Sequence, residues 1–339
     1  MAESDWHAIA TPLIIGAGFT SPIASIAPLT GGVSSDIVRI ELEDGTLLCA
    51  KRALPRLKVA SVWEAPLERN HYEVAYLRVA AGIVPGTAPK VMGEDQAHGV
   101  ALLEFLPPEQ YRLWKSELLA GRFDAGVPQS VAAALGSIHA RSWGDRALAG
   151  VFATDDMFDA LRLSPYLRTL AEHTPDLAAE ITAIVDRTAN SRLALVHGDV
   201  SPKNILVSNA DDHPVLLDAE CAWFGDPAFD AAFCINHLVL KSFHVPKIRD
   251  QLHSAATDFM AVWKKALPAS EQEAAESRAA SLLPCLMLAR VDGKSPVEYL
   301  SETSREAVRR ASLPLIRLPP HTIAEAVASL RAGPGEGAA

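Results

Sequence analysis

The sequence is poor in basic residues and in cysteine, and each shortage argues against a class of protein. Its 339 residues include 31 Lys and Arg against 41 Asp and Glu, which gives a formal net charge of −10. An acidic chain repels the phosphate backbone of nucleic acids, so we do not expect nucleic-acid binding. The four cysteines form no C-x-x-C pair, which argues against a disulfide framework or a cysteine-rich zinc site and fits a cytoplasmic protein.

The amino-terminal region also lacks the features of a secretory signal and of a membrane span. Residues 1–7 contain two acids and no Lys or Arg, whereas a signal peptide begins with basic residues. Residues 8–35 carry no charge, but Pro12, Pro22 and Pro28 interrupt them together with several Gly, Ser and Thr. This dilutes their hydrophobicity below that of a spanning helix, so we expect no membrane association.

The first third of the chain has the pattern of a small antiparallel sheet. Apolar and polar residues alternate over 36–42, Asp44-Gly45 is a hairpin turn signal, and an apolar run resumes over 46–51. A helix is predicted over 67–81, and a short buried strand over 100–105.

The remainder is predicted to be mostly helical, with one strand-rich segment at 193–218. We therefore predict an α+β fold with a β-rich amino-terminal lobe, 1–106, and a helical carboxy-terminal lobe, 107–332. The hinge between them is expected at about 102–108. The Gly/Ala-rich tail, 333–339, is expected to be disordered.

Within the strand-rich segment, one loop and the following hairpin carry three oxygen-bearing side chains. A buried strand leads into His197-Gly198-Asp199, Asn204 opens the next strand, and the returning strand ends at Asp218. Because a hairpin brings its open ends together, we predict that Asn204 and Asp218 are neighbours, with Asp199 beside them. Carboxylate and amide oxygens, completed by water and phosphate, are the ligands that Mg²⁺ prefers.

The D-x-x-x-x-N spacing matches the catalytic loop of kinases. In that loop the Asp accepts the proton of the substrate hydroxyl, the Asn binds a metal ion, and a second Asp holds another. The alternative is that Asp199, Asn204 and Asp218 are ordinary turn residues, since Asp and Asn favour turns. Their joint spacing between apolar strands favours the kinase interpretation.

A family resemblance rests on these residues and on two further motifs. His197-Gly198-Asp199-x4-Asn204, Leu217-Asp218-Ala219-Glu220 and Gly225-Asp226-Pro227-x-x-Asp230 together resemble the aminoglycoside phosphotransferase and choline-kinase-like family. The resemblance extends over roughly residues 28–241. It implies a bilobal protein-kinase-like fold, ATP or GTP as donor with Mg²⁺, and a small hydroxyl compound as acceptor, such as a sugar, polyol, amino alcohol or aminoglycoside-like molecule.

The resemblance also implies roles for single residues. Asp199 matches the catalytic base, and Asn204 and Asp218 match the metal ligands. Asp230 matches an Asp that braces the catalytic loop, with His197 as a further structural support.

The nucleotide is expected to bind against the amino-terminal lobe. Glycine lets backbone N–H groups approach phosphates and serine adds donors, so the loop with Gly31, Gly32, Ser34 and Ser35 is a candidate phosphate-binding loop, although it also fits a simple turn. The resemblance supports the first interpretation.

A strand cation paired with a helix Glu is the second expected nucleotide contact. Lys51 with Glu73 is the preferred pair, whereas Arg52 and Glu68 are the alternatives for the two positions. At the hinge, Glu104 and Phe105 resemble the segment that contacts the adenine. Because the backbone makes the contact there, the side chains do not distinguish ATP from GTP as the donor.

The acceptor residues are expected in the helical lobe. Lys203 either binds a phosphate oxygen or faces water. Glu220 either lies near the metal ion, contacts the substrate or is only solvated. Ser295 and Glu298 have the spacing of a capping box, with Pro296 at the first helical position. A helix beginning there would leave three charged residues just before it, which are either candidate acceptor contacts or parts of a solvated loop: Arg290, Asp292 and Lys294.

Two other functions are compatible with this chain. The first is a nucleotide-binding regulatory pseudokinase, which the joint presence of Lys51, Asp199, Asn204 and Asp218 disfavours. The second is a protein kinase. Gly198 stands where protein kinases carry Arg, and no Ala-Pro-Glu motif follows Asp218, so the activation-loop machinery of protein kinases is not expected.

Overall fold

The computed structural model describes residues 3–29, 34–55 and 66–332. The predicted Gly31 and Gly32 and the predicted disordered tail lie outside these ranges. Two unequal parts meet at a cleft: an antiparallel sheet with two helices, and a larger helical part with two small sheets. The predicted α+β fold with a β-rich amino-terminal part is confirmed.

The amino-terminal sheet has five strands in the order β1-β2-β3-β5-β4, each antiparallel to its neighbour. The predicted hairpin joins β2 and β3: Gly45 has φ +84°, and the Asp44 side chain accepts a hydrogen bond from the Thr46 N–H at 2.9 Å. The strands are β1 (Ile23–Leu29), β2 (Ser35–Leu42), β3 (Leu47–Ala53), β4 (Val91–Asp95) and β5 (Val100–Glu104).

Each face of this sheet is covered by a helix, α1 (Glu3–Gly16) or α2 (Arg69–Ile83). Leu48 and Leu102 pack with Trp6 of α1 in a small apolar core. Because successive strand residues point to opposite faces, Lys51 and Leu103 project to the other face, toward α2 and the cleft. The alternation of side chains along β3 therefore places Lys51 on the cleft side of the sheet.

The sheet ends at Glu104, and the next strand, β6, belongs to a different sheet. Two small sheets, in the orders β6-β8-β9 and β10-β7, lie in the second part of the chain. Their strands are β6 (Tyr111–Leu113), β7 (Ala194–Val196), β8 (Ile205–Ser208), β9 (Pro214–Leu216) and β10 (Trp223–Gly225).

The helical part is built around α9, in which every residue from Ala228 to Ser242 is buried. Helices α10 and α11 pack on α9 and α4 packs on α10. The helices are α3 (Trp114–Leu119), α4 (Gly126–Ser142), α5 (Arg146–Val151), α6 (Asp155–Phe158), α7 (Thr169–His173), α8 (Ala178–Asn190), α9 (Ala228–His244), α10 (Arg249–Ala266), α11 (Gln272–Asp292), α12 (Glu302–Arg317) and α13 (Ile323–Ala332).

Between α6 and α7 the chain forms a π-helical segment, Asp159–Arg168. Pro165 lies inside it and supplies no backbone N–H, so the regular α-helical ladder is interrupted there. Three short 3₁₀ turns complete the helical part: Pro175–Leu177, Pro202–Asn204 and Pro246–Ile248. Across the described ranges, no helix combines the length and the apolar character needed to cross a membrane.

The predicted capping box at Ser295 is wrong, because no helix begins there. The Ser295 hydroxyl oxygen accepts a hydrogen bond from Arg290 at 2.9 Å, and the Glu298 carboxylate pairs with Lys115. Both side chains that would cap the helix therefore have other partners. Helix α12 instead begins at Glu302, where the Ser301 hydroxyl accepts from the Ser304 N–H at 3.2 Å.

Candidate active site

The loop after β7 places Asp199 at the cleft, and Gly198 makes its sharp turn possible. Gly198 has φ +79°, and a Cβ added there would lie 2.6 Å from the carbonyl oxygen of Cys221. Glycine is the residue that tolerates both conditions. The turn is held by Asp230, whose carboxylate accepts hydrogen bonds from the N–H groups of His197 at 2.7 Å and Gly198 at 2.8 Å.

His197 connects this loop to the end of the β8–β9 hairpin. Its Nδ1 accepts from the Asp199 N–H at 3.1 Å, so Nε2 carries the hydrogen that is donated to the Leu217 carbonyl oxygen, also at 3.1 Å. Burial lowers the pKa of His197, which favours this neutral form. The ring also packs edge-on against Tyr76, with 5.0 Å between centroids.

We expect Asp230→Ala to lower the free energy of unfolding by about 3 kcal/mol, because two buried backbone N–H groups lose their acceptor at about 1–3 kcal/mol each. Urea denaturation measures this change. The exposed Asp258 on α10 supplies a control, Asp258→Ala, with an expected change within about 0.5 kcal/mol. A loss no larger for Asp230→Ala than for Asp258→Ala would contradict the bracing role.

Asn204 and Asp218 occupy the two open ends of the hairpin. The Asn204 carbonyl oxygen accepts from the Leu217 N–H at 2.9 Å, which places Asn204 beside the residue preceding Asp218. The Asn204 Nδ2 donates to the Asp199 carbonyl oxygen at 3.1 Å and leaves Oδ1 as the acceptor. Asp218 has φ +64°, a left-handed conformation that non-glycine residues adopt rarely and often at functional sites.

Lys51 faces this hairpin end from the sheet. Its Nζ lies 2.8 and 2.7 Å from the two carboxylate oxygens of Glu73 and also contacts Asp218 Oδ1. Of the alternatives, Glu68 is exposed just before α2, and Arg52 lies on β3 next to the buried Lys51. Burial raises the pKa of Asp218, but Lys51 and Lys203 outweigh burial and hold the pKa well below its usual value.

Two cations hold the Asp199 carboxylate. Arg162 from the π-helical segment lies 2.9 Å from Oδ2, and Lys203 lies 3.1 Å from the same oxygen. Burial raises the pKa of Asp199, but Lys203 and then Arg162 outweigh it and keep the pKa below its usual value. Asp199 is therefore ionised at neutral pH.

Arg162 is a site residue that the sequence does not predict. Its Nε donates to the Gly198 carbonyl oxygen, and its guanidinium lies 5.9 Å from the ring centroids of both Tyr166 and Phe233. It is thus fixed against the loop that carries Asp199. No local motif marks Arg162, so only the packing of distant segments identifies it.

The cleft between the two parts has a cavity volume of about 690 Å³, within the range of small-molecule sites. Apolar side chains such as Leu77, Leu103 and Leu206 line it beside Glu104 and Phe105. The predicted site residues that line it are Ser34, Ser35, Lys51, Glu73, Glu104, Phe105, Asp199, Lys203, Asn204, Asp218 and Glu220.

The remaining predicted acceptor residues do not line the cleft. Arg290 lies behind it and donates to the Tyr166 hydroxyl at 3.2 Å. Asp292 pairs with Arg309 at 2.9 Å, and Lys294 is exposed. Glu220 lines the cleft, but its carboxylate accepts from the buried Arg69 at 3.0 Å.

The residues at the cleft fit a nucleotide and a metal ion. The Ser35 hydroxyl is buried and has no hydrogen-bond partner among the residues described, so a phosphate oxygen would satisfy it. Asp218 and the Asn204 Oδ1 offer hard oxygen ligands of the kind Mg²⁺ takes together with waters and phosphates. No group of three or more His, Cys, Asp or Glu in the described ranges forms a metal site of its own.

These features fit a phosphotransferase of the kinase-like fold. The chain belongs to the phosphotransferase enzyme family abbreviated APH, whose family model matches residues 25–263. No curated protein sequence matches the chain.

Solved structures of several kinases are similar to this chain. Ethanolamine kinase from Plasmodium vivax is 13% identical with a TM-score of 0.55, and the similarity covers 86% of this chain and 83% of that chain. A macrolide 2′-phosphotransferase type I is 15% identical with a TM-score of 0.49, covering 99% of each chain. An aminoglycoside phosphotransferase from Alicyclobacillus acidocaldarius is 15% identical with a TM-score of 0.48, covering 90% and 91%.

Proposed function

We propose that this protein transfers the γ-phosphoryl group of ATP to a hydroxyl group of a small molecule, with Mg²⁺ as the metal ion. The observation that carries the proposal is the convergence of Asp199, Asn204 and Asp218 on one wall of the cleft, opposite the Lys51–Glu73 ion pair. Phosphoryl transfer needs positioning and charge neutralisation more than covalent chemistry, and these residues supply both.

In the proposed reaction, the acceptor hydroxyl oxygen attacks the γ-phosphorus while the bond to the β–γ bridging oxygen breaks. Asp199 takes the hydroxyl proton, and ADP leaves. Asn204 Oδ1 and Asp218 would hold Mg²⁺, which neutralises charge on the phosphates when bound. Lys51, oriented by Glu73, binds phosphate oxygens, and the segment with Glu104 and Phe105 contacts the base at the hinge between lobes 1–106 and 107–332.

The test is an assay of nucleoside diphosphate release across sugars, polyols, amino alcohols and aminoglycosides, which detects ADP when ATP is the donor and GDP when GTP is the donor. A control without acceptor measures hydrolysis alone, and EDTA removes the metal. Acceptor-dependent, EDTA-sensitive ADP release is expected. Nucleotide-dependent thermal stabilisation without turnover on any acceptor would favour the regulatory pseudokinase instead, and phosphate incorporated into protein would favour a protein kinase.

Arg162 acts in this proposal as a positioning residue for Asp199. We expect Arg162→Met to lower kcat about 10- to 100-fold, because a misplaced catalytic group costs a factor of that order. We also expect the acid limb of kcat/KM to move to higher pH. Burial raises the pKa of Asp199, and the variant removes one of the two cations that oppose burial.

The pH profile separates this role from a purely structural one. Arg168→Met is the control, because Arg168 lies on the same π-helical segment but pairs with Asp159 at 2.6 Å. An acid limb of Arg162→Met that coincides with that of Arg168→Met, despite a lower kcat, would exclude electrostatic control of Asp199.

A further inference from the structure

The part of the cleft around Asp199 that the helical part alone lines is rich in cations. We call this part the acceptor end, because it surrounds Asp199 with residues of the helical part only. Its lining residues, besides Asp199, are Lys115, Arg162, Tyr166, Lys203 and Ser295. Any inference about its ligand rests on the proposed function, in which the acceptor hydroxyl binds next to Asp199.

Elsewhere in the cleft the carboxylates outnumber their cationic partners. Glu73 and Asp218 share Lys51, Glu220 pairs with the buried Arg69, and the exposed Glu104 accepts a hydrogen bond from the Lys90 N–H. At the acceptor end, by contrast, the single lining carboxylate, Asp199, faces two cations. Positive charge is therefore in excess where the acceptor would bind.

Lys115 adds a further positive charge at the acceptor end. Its partner is Glu298, whose side chain is 66% exposed whereas that of Lys115 is 28% exposed. Exposed ion pairs of this kind contribute little stability. A negatively charged ligand in the cleft therefore competes readily for the Lys115 ammonium group.

Two more cations lie buried behind this lining. Arg290 donates to Tyr166 and to Ser295, while its Nε has no partner among the residues described. Lys241 lies 5.1 Å from the ring centroid of Tyr299 and donates only to a carbonyl oxygen of its own helix, at 3.5 Å. Within the described ranges neither cation forms an ion pair with a carboxylate.

His237, a buried residue of α9, is affected by the same basic side chains. Burial lowers the pKa of His237, and Lys241, Arg290, Lys203 and Lys115 lower it further. Burial, and then the charge of Lys115, also lower the pKa of Lys241 to about 7, so Lys241 is only partly charged at neutral pH. Burying Arg290 and Lys241 without a carboxylate partner is costly, and an anion bound near them would relieve the cost.

We propose that the acceptor is a small hydroxyl compound carrying an anionic group, a carboxylate or a phosphate, which binds at Lys115 while the hydroxyl faces Asp199. The same charges disfavour a cationic acceptor such as an amino alcohol or an aminoglycoside. Lys203 lies next to Asp199 and is also close to where the γ-phosphate would bind, so Lys115 is the residue that distinguishes acceptor binding from nucleotide binding.

The first test compares related acceptors that carry different charges. Glycerol, glycerate and glycerol 3-phosphate form one series, and glucose, gluconate and glucosamine form another. We expect at least about tenfold higher kcat/KM for an anionic member than for its neutral counterpart, the factor produced by one charged contact, and the lowest value for the cation. Higher kcat/KM for glycerate than for glycerol 3-phosphate would identify the anionic group as a carboxylate, and the reverse order would identify it as a phosphate. Equal or better turnover of the neutral or cationic members would overturn the inference while leaving the proposed function intact.

The second test removes the charge of Lys115. Lys115→Met should raise KM for the preferred anionic acceptor about tenfold or more, should leave KM for ATP unchanged, and should be partly rescued by Lys115→Arg. Lys265→Met removes an exposed lysine at the end of α10 and should change neither KM. An unchanged acceptor KM in Lys115→Met, with melting temperature preserved, would overturn the inference.

If no acceptor is turned over, that result counts against the proposed function. A binding measurement then tests the anionic-acceptor inference separately. Calorimetric titration of the same compounds into protein saturated with a non-hydrolysable ATP analogue and Mg²⁺ then decides the inference. Binding of the anionic members that weakens in Lys115→Met supports it. Failure of every anionic member to bind, or binding that Lys115→Met does not change, overturns it.

Discussion

Asp199→Asn is expected to lower kcat by about 10²–10⁴-fold, the range that positioned proton transfer contributes, while the nucleotide still binds. Asparagine has the size of aspartate and keeps an oxygen that accepts from Arg162 and Lys203, but it cannot take a proton from the acceptor hydroxyl. The variant separates chemistry from binding because it changes basicity and charge without changing shape.

The direction of the binding change follows from the charges. In Asp199→Asn the cations Arg162 and Lys203 lose their counter-ion, so the cleft becomes more positive beside the γ-phosphate. Mg·ATP should therefore bind at least as tightly as it binds the unmodified protein. ADP release gives kcat, and calorimetric titration with a non-hydrolysable ATP analogue gives the dissociation constant.

Asp211→Asn is the matched control, because Asp211 lies exposed in the turn of the same hairpin, between β8 and β9. Asp211→Asn should leave both kcat and the dissociation constant of the nucleotide unchanged. Near-normal turnover in Asp199→Asn would exclude Asp199 as the proton acceptor. A fall in turnover accompanied by lost nucleotide binding would instead indicate a damaged cleft.

Local signals explain which parts of the structure could be predicted from sequence. The Asp44-Gly45 turn and the alternation over β2 and β3 define a hairpin by themselves. The alternation of side chains along β3 determines which face of the sheet Lys51 occupies. A one-residue error in the predicted register would have placed Arg52 toward the cleft instead. The hairpin after Asn204 is equally local, so its two ends could be expected to meet.

Long-range packing explains what the sequence did not reveal. No helix is predicted over α1, because Pro12 interrupts a weakly patterned segment; the packing of Trp6 and Ile14 against the sheet stabilises it. Arg162 and Lys115 belong to segments without a motif, and they meet Asp199 and Glu298 only because segments far apart in sequence pack together.

Side-chain competition explains the error at Ser295. Sequence spacing identifies residues able to cap a helix, but it does not identify other partners that bind them more strongly. Arg290 and Lys115 engage Ser295 and Glu298, and the same two cations belong to the acceptor end and its surroundings.

Asp218→Asn is expected to weaken Mg·nucleotide binding and to lower kcat, an effect on binding opposite to that of Asp199→Asn. Loss of one charged metal contact should raise the Mg²⁺ concentration for half-maximal activity about tenfold or more. Because Asp218 also contacts Lys51, a loss of nucleotide affinity could arise from a displaced lysine instead of a lost metal ligand.

Two measurements separate these causes. In EDTA, Asp218→Asn should bind ATP no worse than the unmodified protein, because the carboxylate that repels phosphate is gone, whereas Lys51→Met should bind ATP more weakly with and without Mg²⁺. An Mg²⁺ dependence of Asp218→Asn that matches the unmodified protein would exclude the metal role. Equal weakening of both variants in EDTA would assign Asp218 to holding Lys51 in place.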